Sequence, residues 1–298
     1  KSFLETVKPA YFDRIEITAI DISRTAIDDL RHDLIDKYPQ VSFRFLVQDF
    51  FSFYNTIRGS DTLFDLVLAN PPYVRTQALD EEVREHLRKA FGLPGRADLS
   101  FSFLAAISRL LSKGGMAAVI TSNKILTTEA GRGIRVDLEK NVCLQEIWDL
   151  GDTRLFDAAV LPCVMFFRAG DPQTSEPTVF RSIYKTGGVE CQDFAGGPSE
   201  AVMYPGKWRL MDGSLVEVRS GGLSRAEGWR LADAADQEWA ARVTSKTWAV
   251  FGDVGNVRVG IKTTADKIFI PKDWSNPPPE LLRPLLTHHV AGRYRASI

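Results

Sequence analysis

Short apolar runs alternate with amphipathic stretches through the first half of the chain. Seven runs have the apolar, β-branched composition of buried strands: IEITAIDIS, VSFRFLVQDFF, FDLVLAN, MAAVITSN, LQEIWDLG, VLPCVMFFRAG and PTVFRSIY. Between them, RTAIDDLRHDLIDKY has the apolar spacing of a helix that buries one face, formed by Ile27, Leu30, Leu34 and Ile35. DLSFSFLAAISRLLSKGG predicts a helix that ends at its glycine pair, and a further helix is expected near 127–140. This alternation predicts an α/β domain built on a parallel sheet.

The pattern changes after about residue 185. The segments KTGGVECQDFAGGPSE and RSGGLSRAEG are polar and rich in glycine, and five of the six tryptophans follow residue 200. Such a change in composition is typical of a domain boundary. We therefore predict one domain over 1–190 and a smaller mixed α+β region over 191–298.

The bulk composition narrows the class of protein. A chain of 298 residues with 44% hydrophobic and 25% charged residues is typical of a soluble globular protein. No segment approaches the roughly 20 apolar residues of a membrane span. The three cysteines lie too far apart for a C-x-x-C zinc site, and their odd number does not indicate a disulfide framework. We expect a cytoplasmic protein without a membrane partner or a metal site.

The charge is unevenly distributed along the chain. Residues 240–298 contain nine Lys and Arg and four Asp and Glu, a net charge of +5, which leaves −6 on the remainder of a chain whose total is −1. A surface that faces phosphates is one interpretation of the basic end, and an ordinary fluctuation of surface charge is another.

Polar side chains follow three of the predicted strands. Asp21, Asp49 and Asn70 each stand at the carboxyl end of a strand, where open α/β sheets bind their ligands. An acid in the position of Asp21 is suited to accept hydrogen bonds from ribose hydroxyls. Asp49 can accept from the amino group of an adenine whose face Phe50 covers. Each acid taken singly could equally be a helix cap.

The segment Asn-Pro-Pro-Tyr, residues 70–73, has a specific chemical use. Pro71 and Pro72 stop the strand and fix the local backbone. The Asn70 side-chain oxygen and the Pro71 carbonyl can both accept hydrogens from a conjugated amine, which favours a pyramidal nitrogen that can attack a methyl group. Tyr73 offers a ring on which a base can stack.

Four motifs in this order resemble those of the S-adenosylmethionine-dependent N6-adenine DNA methyltransferases of the gamma class. The motifs are AIDIS, QDFF, NPPY and GGMAAVITSNKIL. Within the class, the resemblance is to the group that includes restriction–modification fusions and phage-defence enzymes. The segment GDTRLFDAAVLPCVMFFRAG is similar to a motif that carries a second aromatic against the flipped base, here Phe156. VGNVRVGIKTTADKIFI and LLRPLLTHHVAGRY resemble the opening of a target-recognition domain.

The resemblance implies a Rossmann-like methyltransferase sheet in a catalytic domain over 1–190, followed by the N-terminal part of a DNA target-recognition domain over 191–298, and it assigns roles to residues. S-adenosylmethionine would be held at its ribose by Asp21, with Ile22 beside it, and at its adenine by Asp49 and Phe50. The partner would be double-stranded DNA, together with an endonuclease domain or subunit of the same system. Because N6 of adenine is paired inside the duplex, the base must be flipped out before it reacts. The residues around the target base would be Asn70, Pro71, Pro72, Tyr73 and Phe156, with the two aromatics stacking on the base.

One expected motif is not present in the sequence. The family's glycine-rich first motif, of the D-P-A-C-G-S-G kind, would precede residue 1, so we expect a sheet that is incomplete at its N-terminus and an excerpt of a longer polypeptide with doubtful activity of its own. Two alternatives stay open: an NPPY-type methyltransferase that acts on protein glutamine or ribosomal RNA, and a non-catalytic DNA-recognition fragment. The length of chain beyond residue 185 favours DNA.

Overall fold

The computed structural model describes residues 2–74, 79–91, 98–153, 161–172, 176–187, 190–225, 228–232, 234–255, 291–292 and 295–296. The chain divides into two compact units, residues 1–240 and 241–298. In the described residues, no helix is both long and apolar enough to span a membrane.

The first unit contains a small parallel sheet near its start. The chain begins with a short helix, α1 (Ser2–Thr6), and a 3-10 helix, Pro9–Arg14. Strands β1 (Glu16–Asp21) and β2 (Ser42–Val47) follow and pair in parallel along their whole lengths. Helix α2 (Arg24–Ile35) connects the two strands. Helix α2 begins where the Ser23 side chain accepts a hydrogen bond from the Ala26 amide, an N-cap that satisfies one of the otherwise unpaired donors of the first turn.

A nine-stranded sheet forms the rest of the first unit. Its strand order is β3-β4-β6-β5-β7-β10-β9-β8, with β11 paired to β10. The bounds are β3 (Phe64–Ala69), β4 (Leu111–Ser122), β5 (Val142–Asp149), β6 (Pro162–Ala169), β7 (Val179–Lys185), β8 (Gln192–Asp193), β9 (Gly206–Arg209), β10 (Leu215–Ser224) and β11 (Arg230–Ala232).

Seven of these strands point in the same direction, among them β3, β4, β5 and β7, and only β6 and β10 run the other way. Strand β3 is parallel to β4, and β5 is parallel to β7. The strand between the two pairs, β6, is antiparallel to both β4 and β5. The carboxyl ends of β3, β4, β5 and β7 therefore lie at one edge of the sheet.

Helices and two hydrophobic clusters stabilise this sheet. The helices are α3 (Phe50–Ile57), α4 (Glu81–Phe91), α5 (Leu99–Ser108), α6 (Lys124–Thr127), α7 (Arg132–Asn141) and α8 (Pro198–Ala201), with a 3-10 turn at Glu129–Gly131. Helix α9 (Ala234–Lys246) follows β11 along the chain. Helix α5 is apolar nearly all round and is buried along most of its length, which explains the continuous apolar run in its sequence. The larger cluster includes residues of α3, α5 and α7 with β4, β5 and β6, and a smaller one lies around β7, β9 and β10.

Two details of the predicted helices are wrong. The helix that begins at Leu99 ends at Ser108, before the pair Gly114 and Gly115, because β4 already begins to pair with β3 at Leu111. In α2, Ile27 and Leu34 are buried as predicted, but Ile35 is 45% exposed. A helix turns 100° per residue, so Ile35 lies well round from the stripe that faces the core formed with Phe12 and Tyr38.

The nine-stranded sheet runs across residue 190. Strand β7 pairs antiparallel with β10 over seven residues, so the strands that follow residue 190 extend the same sheet. The division of roles between 1–190 and 191–298 concerns function, and it stays a prediction.

The second unit contains α10 (Phe251–Val254) and the short antiparallel pair β12 (Ala291–Gly292) and β13 (Arg295–Ala296). Most of the two segments that resemble a target-recognition domain lies outside the described residues.

Candidate functional site at the carboxyl edge of the sheets

The Asn-Pro-Pro-Tyr loop leaves the carboxyl end of β3. Asn70 is exposed, Pro71 is buried and Tyr73 is half-buried. The loop is fixed at both ends, because β3 pairs with β4 before it and the Leu99 amide donates to the Val74 carbonyl at 2.9 Å after it. The asparagine side chain is thus presented to solvent from a short and anchored turn.

The Tyr73 hydroxyl donates a hydrogen bond to Asn70 Oδ1 at 3.3 Å. Burial raises the pKa of Tyr73 to about 12, and the nearby Asp98 carboxylate and Cys163 contribute in the same direction. Tyr73 therefore remains a donor at neutral pH. A carboxamide oxygen has two lone pairs, so Asn70 Oδ1 can accept a second hydrogen bond from a ligand.

Asp98 connects the loop to the core. Its Oδ1 accepts from the Ser100 amide at 3.1 Å and from Ser100 Oγ at 2.8 Å, which caps helix α5. Ser100 Oγ in turn lies 2.8 Å from Thr121 Oγ1 on β4. These buried contacts attach the start of α5, and with it Val74, to the strand beside β3.

Asp21 and Asp49 lie at the carboxyl end of the small sheet. Both are exposed, and each accepts one hydrogen bond from its own chain: Asp21 from the Ser23 amide at 2.7 Å, and Asp49 from the Ser52 amide at 2.8 Å. Both acids therefore make the local backbone contacts of capping residues. Ile22, next to Asp21, is 76% exposed.

Phe50 follows Asp49 and connects the small sheet to the large one. It stacks on Phe103 of α5 with ring centroids 4.5 Å apart and an interplanar angle of 15°. Because α3 begins directly at Asp49 and packs against the core of the nine-stranded sheet, that carboxylate sits at the N-terminus of an anchored helix. The exposed acids, the exposed Ile22 and the partly exposed aromatic fit a ligand that has hydroxyls and a purine ring.

A buried carboxylate that sequence reasoning missed lies at the end of β5. Asp149 is only 8% exposed, and it accepts from Tyr184 Oη at 2.5 Å, the Gly151 amide at 3.2 Å and Asn123 Nδ2 at 3.3 Å. Burial raises the pKa of Asp149, and these three donors oppose the shift. Gly151 has φ +50, and a Cβ there would meet the Ile183 carbonyl at 2.3 Å, so the turn requires glycine.

The signal for Asp149 was present in the sequence. It ends the predicted strand LQEIWDLG just as Asp21 ends IEITAIDIS, and the same rule would have selected it. Phe156, the predicted second stacking aromatic, lies outside the described residues. Within the described ranges, no group of three or more His, Cys, Asp or Glu side chains is arranged to hold a metal ion.

Parallel strands that end in ligand-accessible acids, followed by an Asn-Pro-Pro-Tyr turn, define a Rossmann-like methyltransferase fold. The particular family follows from the sequence. Residues 10–156, which contain both acids and the turn, match the family model of the Eco57I restriction-modification methylase, and this segment belongs to that family.

Two relatives and one solved structure illustrate the similarity. The chain is 34% identical over 255 residues to Type II methyltransferase M.BanIII of Aneurinibacillus aneurinilyticus. The alignment covers 78% of this chain and 43% of the relative. The chain is 27% identical over 237 residues to Type II methyltransferase M.BstVI of Geobacillus stearothermophilus, covering 75% and 40%. The type IIG restriction endonuclease BpuSI aligns with a TM-score of 0.47 and 18% identity, over 86% of this chain and 32% of that one. The chain thus spans less than half the length of these proteins.

Proposed function

We propose that the protein transfers a methyl group from S-adenosylmethionine to N6 of adenine in double-stranded DNA, as the modification activity of a restriction–modification or phage-defence system. The observation that carries the proposal is the exposed Asn70 carboxamide on an anchored turn beside Tyr73, in a segment that belongs to the Eco57I family. A cytoplasmic location and an endonuclease domain or subunit as partner belong to the same proposal.

S-adenosylmethionine, when bound, supplies an electrophilic methyl group. Asp21 would accept hydrogen bonds from its ribose, with Ile22 against the sugar and the ring, and Asp49 with Phe50 would hold its adenine. The exposure of these side chains and the anchoring of α3 against the core support this assignment.

The chain's own groups would act on the target amine through hydrogen bonding. Asn70 Oδ1 and the Pro71 carbonyl would each accept one hydrogen of the N6 amino group. Positive charge develops on that nitrogen only as the new bond forms, so acceptors already in position stabilise the transition state more than the ground state. Tyr73, and Phe156 by resemblance, would stack on the flipped base and return part of the cost of unstacking it.

The test uses the full-length protein, labelled methyl donor and DNA of varied sequence, followed by mapping of the modified base. Asn70→Ala is expected to reduce methyl transfer by about a hundredfold or more, because one preorganised polar group at the reacting atom is removed. Asp61→Ala, at an exposed turn before β3, is the control for the loss of an exposed polar side chain.

The outcome also separates the alternative substrates. Label on N6 of adenine in DNA, lost in the Asn70 variant, supports the proposal. Label on a protein amide or on ribosomal RNA, with none on DNA, would replace it by the other class of conjugated amine. Undiminished transfer by Asn70→Ala would refute the mechanism.

A further inference from the structure

A pocket of about 550 Å³ lies beyond the Asn-Pro-Pro-Tyr loop and includes none of its residues. It covers one face of β7 and β10 and reaches the segment that follows β4. Phe180, Ser182 and Tyr184, which alternate along β7 and so share a face of the sheet, form part of its floor. This volume falls within the range of ligand-binding sites in proteins.

Positive charge predominates around the pocket. Four cationic residues line it, against two acidic residues, Asp149 and Glu217; the cationic residues are Lys124, Lys185, Arg219 and Arg230. The Asp149 oxygens are already occupied by donors of the protein. Lys124, Lys185 and Arg230 are exposed and form no ion pair with another residue in the described part of the chain. The pocket is therefore suited to an anion.

One wall of the pocket is apolar and fixed in position. Trp229 is buried, its indole donates to Glu139 Oε1 at 2.6 Å, and its amide donates to the Leu126 carbonyl at 2.6 Å. Gly228 has φ +93, and a Cβ there would meet the same Leu126 carbonyl at 2.7 Å, so only glycine permits this close approach. A rigid wall reduces the ordering cost of binding.

The strand order relates the pocket to the catalytic loop. From β3, which carries Asn70, the sheet takes three steps to β5 and four to β7. At about 4.8 Å per strand, the two sites are separated by about 14 to 19 Å along the same carboxyl edge. Duplex DNA rises about 3.4 Å per base pair, so this separation corresponds to about four to six base pairs.

We propose that this pocket binds a backbone phosphate of the DNA about four to six nucleotides from the target adenine, with the cations of Lys185 and Arg230 reaching the phosphate and the adjoining sugar against Leu231. The inference rests on the proposed function, because it is the bound DNA that would connect the two sites. Phosphate contacts fix the register of a protein on the duplex without reading its sequence.

The experiment measures the affinity of the full-length protein for a DNA duplex between 50 and 300 mM salt. Each phosphate contact contributes about 0.9 to the slope of log affinity against log salt. Because a single phosphate is contacted, the double variant Lys185→Gln/Arg230→Gln is expected to reduce the slope by about 0.9 and to weaken binding about eightfold at 0.1 M salt, and each single variant to lose part of that slope. Lys113→Gln is the matched control, since Lys113 is exposed near the amino end of β4, away from the pocket.

Losses confined to the pocket variants, with unfolding temperatures equal to that of the wild type, support the inference. Wild-type slope and affinity in both variants would overturn it, as would an equal loss in Lys113→Gln. The readout is binding and does not depend on turnover. If the pocket variants weaken binding but the wild type methylates no DNA, the proposed function fails and the phosphate site stands; if methylation occurs and the variants bind normally, the reverse holds.

Discussion

In both sheets of the first unit, parallel strands end in acidic residues. The two sheets differ in how exposed these acids are and in how many hydrogen bonds they accept. Asp21 and Asp49 are exposed, and in the described part of the chain their carboxylates accept hydrogen bonds from backbone amides within three residues. Asp149 is buried and accepts from three donors on separate parts of the chain. The position of an acid at a strand end thus predicts a polar edge, while burial and the number of donors decide whether the carboxylate is available to a ligand or committed to the fold.

The largest expected effect is on stability at Asp149. Asp149→Ala leaves the Tyr184 hydroxyl and the Asn123 amide without their acceptor, and we expect it to lower the free energy of unfolding by about 3 kcal/mol. Asp21→Ala removes one exposed hydrogen bond, from the Ser23 amide, and should lower the free energy of unfolding by less than about 1 kcal/mol. Denaturant unfolding of both variants measures the difference, and equal losses would contradict the contrast between the two sheets.

The next largest effect is on cofactor binding. Here the order of the two acids is reversed, because Asp21 is the proposed cofactor ligand. In the full-length protein, Asp21→Ala is expected to weaken S-adenosylmethionine binding by about tenfold to a hundredfold, the value of a hydrogen bond to a charged acceptor. Calorimetric titration measures the affinity, with Asp61→Ala as the control. Unchanged affinity in the Asp21 variant would remove Asp21 from the cofactor site.

A smaller effect is the pH dependence of stability. Burial raises the pKa of Asp149 above its ordinary value of 3.8, so the folded state keeps a proton that the unfolded state has lost. The stability that wild type gains from Asp149, relative to Asp149→Asn, should therefore fall as pH rises from about 4 through the raised pKa.

Asp212 provides the opposite control for this pH dependence. Hydrogen bonds from Ser214 lower the pKa of Asp212, so its contribution is present above 3.8 and is lost as pH falls. Unfolding curves of Asp149→Asn and Asp212→Asn from pH 3 to pH 7 should diverge from wild type with opposite slopes. Slopes of the same sign would contradict the assignment of burial as the dominant cause at Asp149.

The smallest expected effect is at the Asn-Pro-Pro-Tyr loop. Tyr73→Phe removes the hydroxyl that donates to Asn70 Oδ1 at 3.3 Å but keeps the ring. A hydrogen bond of this kind contributes about 1 kcal/mol, so methyl transfer should fall by about fivefold, whereas Tyr73→Ala should reduce it further because base stacking is also lost. Equal activities of the two variants would mean that the ring does not contact the base.

Local sequence signals predicted the parts of the structure that depend on local physics. The α2 helix and the strands follow from apolar periodicity, and the position of the Asn70 turn follows from the two prolines that cannot continue β3. The glycine pair at 114–115 misled the prediction because pairing with β3, which is a long-range interaction, already begins at Leu111.

The pocket and its buried acid depend on contacts between distant residues. Asp149 lies 35 residues from Tyr184 and 26 from Asn123 along the chain. Their meeting depends on the strand order, in which β6 inserts between β4 and β5. A single sequence carries no local signal for that insertion, so the acid could be selected as a candidate but not assigned to the fold.

The hydrogen bond between the Leu99 amide and the Val74 carbonyl closes the base of the chain segment that contains α4. The polypeptide leaves the Asn-Pro-Pro-Tyr turn and re-enters the core at nearly the same point. A change of length between these two residues that keeps Asp98 and the buried α4 residues Leu87 and Phe91 in place should therefore be tolerated without displacing Asn70.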